Sequence, residues 1–553
     1  MKKIISGILA ATLSLTLITG CATKTESPNA QTASPEASTA SPAASVAGSD
    51  ENSYINVISG EPSVLNTSKF KGLNDRKVFY NVLEPLTRVQ EGKATAAGAE
   101  SWEVSEDGKT YTFHLRENYW SDGVKVRAQD YAYAIAQQAT PQNAFSFASD
   151  YFFIKNYEQV YNGELDVSSL GVQVKDDLTL VLELGNPDAS VLTTQIFPQR
   201  EDYIKKYGDK LGTEAETVIA CGPFTLTSWV HNSELNFEKN SKYWDADNVK
   251  LQKFSFKIIP EPSAQYASFE NGSLDYLTVS NADYIAKFNK NTKLTSVQKA
   301  PARTAVINFN LNDALFKNKN VRLAFSLALN RETIAADLNN GLTKPAYGLI
   351  APATSVGQYN FRSDIEEPLL AISKENSDPK ALLIKGLQEL GLNTDPSTHT
   401  VTVNLGGTDS TSKTKGEFYQ ELWNKALGLK IKLAFNDSAT HFATLDQGKY
   451  QAGIVSWGAD PEPKFVLSRW VGGGVTGWKN SDYDDYVSKA SQTVDDKERL
   501  ALYAKAEALI ISESVVAPIE YSSELVYSYK YIKGIPNSPF DDTGLKNIYT
   551  EGR

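Results

Sequence analysis

The chain has 553 residues and a net charge of −11. An acidic balance excludes nucleic acid as the natural partner, because phosphate binding calls for basic stripes. The length allows two or three domains, and the two cysteines, Cys21 and Cys221, cannot build a disulfide framework.

Met1-Lys2-Lys3 is a short basic start, and residues 4–18 are apolar, softened only by Gly, Ser and Thr. This stretch falls short of the ~20 apolar residues that span a bilayer. It reads as a secretory signal peptide over residues 1–20. Its end, Leu17-Ile18-Thr19-Gly20-Cys21, resembles the bacterial lipobox. That resemblance implies that Cys21 receives a diacylglycerol and holds the protein at the outer face of the cytoplasmic membrane. Residues 22–50 are rich in Ala, Ser, Thr and Pro and carry almost no large apolar side chain. Such a segment cannot offset its ordering entropy, so 21–50 is expected to be a lipidated cysteine and a flexible linker.

The first folded third is expected to be β-rich. Trp102-Glu103-Val104-Ser105 and Thr110-Tyr111-Thr112-Phe113-His114-Leu115 flank an Asp107-Gly108 turn, a strong hairpin signal. Residues 172–184 repeat the pattern around Lys175-Asp176-Asp177, and 128–139 reads as a helix between them. Residues 145–153, Phe-Ser-Phe-Ala-Ser-Asp-Tyr-Phe-Phe, form an aromatic patch centred near Tyr151. Cys221-Gly222-Pro223-Phe224 reads as a structural turn with a buried thiol. Strand-like runs follow at 224–229, 235–238 and 253–259. Residues 321–340 read as one amphipathic helix, with Val321, Phe325, Ala328, Leu329 and Ala335 near one face.

Between 380 and 460 the pattern changes. A helix over 380–390 with Gly391 as its stop precedes strands at 401–405, 429–435 and 451–456, separated by helices at 416–427 and 439–447. This is the β-α-β-α-β order of parallel strands with crossover helices. Ligands of such sheets collect beyond the carboxyl ends of the strands. The segment just beyond the last strand is Trp457-Gly458-Ala459-Asp460.

Other chemistry finds little support. Gly472-Gly473-Gly474-Val475-Thr476-Gly477 fits G-x-G-x-x-G, but a dinucleotide site needs a strand before it and a helix opening from it. His114, His231, His399 and His441 lack metal-ligand spacing. Asp245-Ala246-Asp247 begins like a calcium loop and then breaks the pattern. Neither a G-x-S-x-G elbow nor a P-loop occurs, so no catalytic residue, cofactor or metal is expected.

Ala97-Gly98-Ala99-Glu100-Ser101-Trp102 with Asp107-Gly108-Lys109-Thr110-Tyr111-Thr112-Phe113, then Trp120-Ser121-Asp122-Gly123, Gly222-Pro223-Phe224, Lys242-Tyr243-Trp244 and Asn320-Val321-Arg322-Leu323-Ala324, follow one another in a recognisable order. Together they resemble the large oligopeptide-binding proteins of ABC importers, the family-five solute-binding proteins. The resemblance implies an α/β, two-lobed periplasmic-binding-protein-like fold (type II, large cluster) with an extra β-rich subdomain. Its expected parts are lobe one over 51–75, 188–303 and 520–553, the subdomain over 76–187, and lobe two over 304–519. Hinges are expected near Thr304 and residues 517–521. By the same resemblance, Asp460 pairs with the α-ammonium of a peptide. Ile58, Ser59, Gly60 and Glu61 with Trp457 and Gly458 flank the peptide backbone, and Tyr151 covers its N-terminal end. Pro461-Glu462-Pro463 departs from the aromatic that many relatives carry after this aspartate. The implied protein is a monomeric receptor, not an enzyme. Its partners are an oligopeptide, the permease subunits and the membrane beneath its lipid anchor. A nickel chelate, an opine, an oligosaccharide or a signalling peptide remain open as ligands. A secreted hydrolase is the reading from another class, without a nucleophile–base motif to support it.

Overall fold

The computed structural model of the protein describes residues 52–458, 461–540 and 544–553. The expected signal peptide, Cys21 and the linker lie outside the described residues, as do Ala459 and Asp460. Among the described residues, no helix is long and apolar enough to cross a membrane.

Strand Thr110–Leu115 alternates as its sequence dictates, burying Tyr111, Phe113 and Leu115. It pairs antiparallel with Ala99–Val104. At the turn between them Gly108 adopts φ 67°, and the Asp107 carboxylate accepts from the Lys109 amide at 3.1 Å. The second expected hairpin, Val172–Asp176 and Thr179–Glu183, completes the same four-stranded sheet. Helix Ala128–Ala139 packs on it through Tyr131, Ala134 and Ile135.

A second four-stranded sheet runs Ser53–Ile58, Lys253–Ile258, Glu234–Lys239, Phe224–Val230, so Ser53–Ile58 lies at its edge. The chain enters this sheet through Cys221 and Gly222. A Cβ on Gly222 would sit 2.6 Å from the Leu83 carbonyl oxygen, so this crossing tolerates glycine alone. Cys221 is a free, fully buried thiol whose pKa is pushed up by desolvation, as expected for an inert core residue.

The other lobe is organised around a six-stranded sheet. One side of it is the expected alternation: strands Thr400–Gly406, Lys430–Asn436 and Ala452–Gly458 are parallel, linked by helices Ser410–Leu427 and Ser438–Asp446. Strands Arg303–Phe309 and Val516–Ser522 join antiparallel beside them. Period-two alternation along Arg303–Phe309 feeds two cores. Ala305, Ile307 and Phe309 pack with Phe325 and Trp423 on one face, while Val306 packs with Trp470 and Tyr503 on the other.

The region expected as one helix over 321–340 is interrupted. A helix spans Lys319–Leu327, the chain breaks over 328–330, and it resumes as Arg331–Thr333 and the π-helical Ile334–Leu338. The cause is Arg331, which is only 2% exposed. Its guanidinium donates to the carbonyls of Ala346, Pro518, Ser326 and Leu329. Asn330 caps the new turn by accepting from the Thr333 amide at 2.8 Å. A cation buried in this way dictates where the helix must break, and desolvation pulls its pKa down to about 10.

The chain passes between the lobes along two neighbouring strands. Leu294–Gln298 and Leu525–Tyr529 pair in a three-stranded sheet of the first lobe, and their continuations, Arg303–Phe309 and Val516–Ser522, pair in the second. The connecting residues lie side by side. The Lys299 amide donates to the Glu524 carbonyl at 3.0 Å, and Gln298 Nε2 to Ser523 Oγ at 3.1 Å. The change of sheet thus falls at 299–302 and 523–524, closer to the first lobe than the positions expected from sequence. Thr304, Ala517, Ile519 and Tyr521 are buried within the second lobe's sheet.

Replacing Arg331 with Ala leaves several buried carbonyls without a donor. It should lower unfolding stability by roughly 3 kcal/mol or more, read by chemical denaturation, with Lys a poor substitute.

Candidate functional site

Strand Ala452–Gly458 ends beside the interlobe crossing. Its register places Trp457 opposite Thr304 and Gly458 opposite Arg303, at the start of the second lobe's first strand. On its other side, the ladder with Thr400–Gly406 stops at the pair Leu405 and Ile454. Residues 455–458 are therefore flanked by a strand on one side only. This is the carboxyl end of a parallel strand, where a crossover sheet leaves room for a ligand.

The side chains around that end are aromatic and cationic. Trp457 is half-buried, with Phe442 at 5.7 Å between ring centroids. The Arg469 guanidinium lies 4.0 Å from the Trp457 ring centroid and 4.5 Å from that of Phe465. Phe442 and Phe465 are large apolar residues left 38% and 45% exposed. Gly474 helps to set this arrangement: a Cβ there would sit 1.9 Å from the Arg469 carbonyl oxygen. The Gly-rich run therefore serves close main-chain packing, and it follows the short helix Lys464–Leu467 where a dinucleotide site would need a strand.

On the first lobe, Ile58 ends the edge strand as a core residue at 1% exposure, while Ser59 is exposed. The Gly60 carbonyl accepts from Asn74 Nδ2 at 2.9 Å. The Glu61 carboxylate accepts from Trp229 Nε1 at 2.6 Å and the Asn232 amide at 2.7 Å, and contacts His231 Nδ1 at 2.8 Å. Glu61 thus fastens the 58–61 segment to the hairpin turn of its own lobe. Its hydrogen bond raises the pKa of His231 above the ordinary value.

Tyr151 sits inside the first lobe. It is 3% exposed, stacks on Tyr157 and donates its hydroxyl to the Gln195 carbonyl at 2.8 Å. Phe152 is the exposed aromatic of its patch. The structure therefore keeps 58–61 on one lobe and Trp457 with Gly458 on the other. No hydrogen bond joins the two sets among the described residues, and Tyr151 is packed away from a free surface. Asp460 lies outside the described residues. Among the described residues, no cluster of three or more His, Cys, Asp and Glu could hold a metal ion.

Three residues of this region were not singled out by sequence. Arg469 carries no sequence signal of its contact with Trp457. Lys464 reaches across to Asp188 of the first lobe in an ion pair, with side chains 37% and 9% exposed. Nothing in a lone Lys or Asp signals a partner nearly three hundred positions away.

Glu61→Ala should lower stability by roughly 1–3 kcal/mol, because two donors lose their acceptor. The His231 contribution has a definite sign. A raised folded pKa makes it fully present below the unfolded value near ~6.5, and it fades as pH climbs through the folded value. The melting temperature of His231→Asn should therefore trail the parent at about pH 5.5 and approach it above about pH 8.

The sequence matches the model of the bacterial extracellular solute-binding proteins, family 5, middle region, over residues 93–478. The dipeptide-binding protein DppE of Bacillus subtilis is 30% identical over 481 residues, covering 84% of this chain and 86% of its own. The probable deoxycholate-binding periplasmic protein YgiS of Escherichia coli is 28% identical over 506 residues, covering 88% of this chain and 92% of its own. Among solved structures, Listeria monocytogenes OppA bound to peptide is similar with a TM-score of 0.73 at 26% identity, covering 91% of this chain and all of its own. With its two α/β lobes joined by paired strands, the chain belongs to the bacterial extracellular solute-binding proteins of family 5.

Proposed function

We propose that this protein captures oligopeptides between its two lobes and hands them to the membrane permease of an ABC importer. The observation that carries the reading is the strand end at 455–458, flanked on one side only and placed beside the interlobe crossing. An extended peptide can add there as a further strand, through main-chain groups that every sequence possesses. The peptide-bound relative from Listeria supports the same ligand class.

On this reading, Asp460 pairs with the peptide's α-ammonium, and Trp457, Gly458 and residues 58–61 frame the backbone. Tyr151 contributes by packing the first lobe, given its burial. The first lobe takes 51–75, 188–298 and 525–553 and the second 303–522, with the crossing between them and 76–187 as the inserted subdomain. The protein works by binding and release rather than by turnover, as a monomer. Cys21 carries the lipid that keeps it at the outer face of the cytoplasmic membrane, where the permease lies. A second reading, a carboxylate-bearing amphiphile, draws on the exposed Phe442 and Phe465 beside Arg469 and on the similarity to YgiS.

The test uses the folded body purified without denaturation, with any bound ligand released by acid and identified by mass spectrometry. A ladder of varied short peptides supports the proposal. A single non-peptide solute would replace it with the second reading. Asp460→Ala should weaken binding of free-amine peptides roughly 10- to 100-fold by calorimetry. Unchanged affinity would remove Asp460 from the site. Cys21→Ser should shift the protein from the membrane fraction to the medium.

A further inference from the structure

Strand Ala452–Gly458 has two edges. The Gln451 carbonyl accepts from the Asn310 amide at 3.0 Å, so residue 451 faces the side of Arg303–Phe309. Main-chain groups alternate between the antiparallel neighbour and the opposite side. Residues 453, 455 and 457 therefore face that neighbour, while 452, 454, 456 and 458 face the side of Thr400–Gly406. On this second side the ladder stops at Leu405 and Ile454. The neighbouring strand does not simply run out there. Gly406 still pairs with Asn436 on its far side, and Gly407, at φ 94°, donates its amide to the Asn436 carbonyl at 2.8 Å. The chain turns away, and Ser456 and Gly458 have no strand along this edge.

His441 stands at the turning point. It lies on the crossover helix Ser438–Asp446, is 2% exposed, and brings Nε2 to 3.0 Å from the Ile454 carbonyl oxygen. A carbonyl only accepts, so Nε2 carries the proton. A Cβ on Gly406 would sit 3.3 Å from the His441 ring. The imidazole therefore fills the space between the last paired carbonyl and the strand that bends away. Its Nδ1 is buried without a partner. Protonation there would bury a second N–H and a charge with no acceptor among the described residues, and desolvation accordingly holds the His441 pKa below its ordinary value. The ring is a neutral wedge with a single donor. Phe442, the next residue on the helix, lies 5.7 Å from Trp457 between ring centroids. One turn of helix thus carries both the wedge and an aromatic contact to the open strand end.

We infer that His441 is a positioning residue of the capture site: its imidazole ends the ladder at Ile454 and keeps the Ser456 edge clear for the ligand's own strand. The inference rests on the peptide-capture reading and deepens it. The bond from Nε2 fixes the direction of the Ile454 carbonyl, and with it the main chain two residues further on, where an extended ligand exchanges hydrogen bonds with Ser456. The Ser456 carbonyl accepts one bond from Arg303 Nη2 at 2.9 Å and keeps a second lone pair. The bulk of the ring stops Gly406 and Gly407 from closing over the same edge. His441 acts through the strand and makes no contact with the ligand.

The experiment compares the parent with His441→Phe, which keeps a ring and loses the donor, and His441→Gln, which keeps an N–H of similar reach. Binding is measured by calorimetry. The probes are tetra-alanine and forms of it with one amide methylated in turn. His441→Phe should weaken tetra-alanine roughly 10-fold, with His441→Gln close to the parent. At the amide whose methylation costs the parent most, the loss from His441→Phe should vanish, because the strand bond it supports is already gone. At the other amides the loss should persist, which also certifies the fold of the variant. If His441→Phe does not fold, His441→Asn, whose shorter arm does not reach the carbonyl, takes its place against His441→Gln. An equal loss on every probe makes His441 a residue of the core alone and overturns the inference, as does no loss on any. A parent that binds tetra-alanine and tolerates methylation at every amide overturns the inference and leaves the capture reading standing. A parent that binds none of the probes overturns both.

Discussion

Lys299 and Glu524 meet where the chain leaves one lobe and returns to it, their main chains bonded at 3.0 Å. This paired crossing constrains the rest of the molecule. The strands on either side are hydrogen-bonded into their own sheets, so bending is confined to a few residues. Each lobe can stay rigid while the angle between them changes, because packed cores resist continuous deformation. The strand end at 455–458 opens beside this crossing.

The Lys464–Asp188 ion pair acts on the same geometry from another direction. It ties the short helix after the cleft strand to the first lobe. One partner is 9% exposed and the other 37%, so the pair is partly shielded from solvent. Exposed pairs contribute little to folding, but this one joins groups on the two lobes. Glu61 does the opposite. It is spent within its own lobe, on Trp229, His231 and Asn232, and rigidifies the wall it belongs to.

Much of this architecture was legible in the sequence because its signals are local. The Asp107-Gly108 hairpin, the helix Ala128–Ala139 and the alternation from Thr400 to Gly458 follow from turn chemistry and from the switch between periods of two and 3.6. What could not be read depends on distant partners. The helix break at 328–330 is set by carbonyls at Ala346 and Pro518. Tyr151, which resemblance alone sets over the ligand's N-terminal end, is packed inside its lobe by a hydroxyl bonded to the distant Gln195 carbonyl.

The strand end at 455–458 also says something about information. A ladder that offers amides and carbonyls registers that a strand has arrived and is blind to the letters written on it. On the peptide reading, discrimination therefore falls to the side chains at the margins of the strand. Such a receptor measures the supply of fragments around the cell and leaves their identity unread.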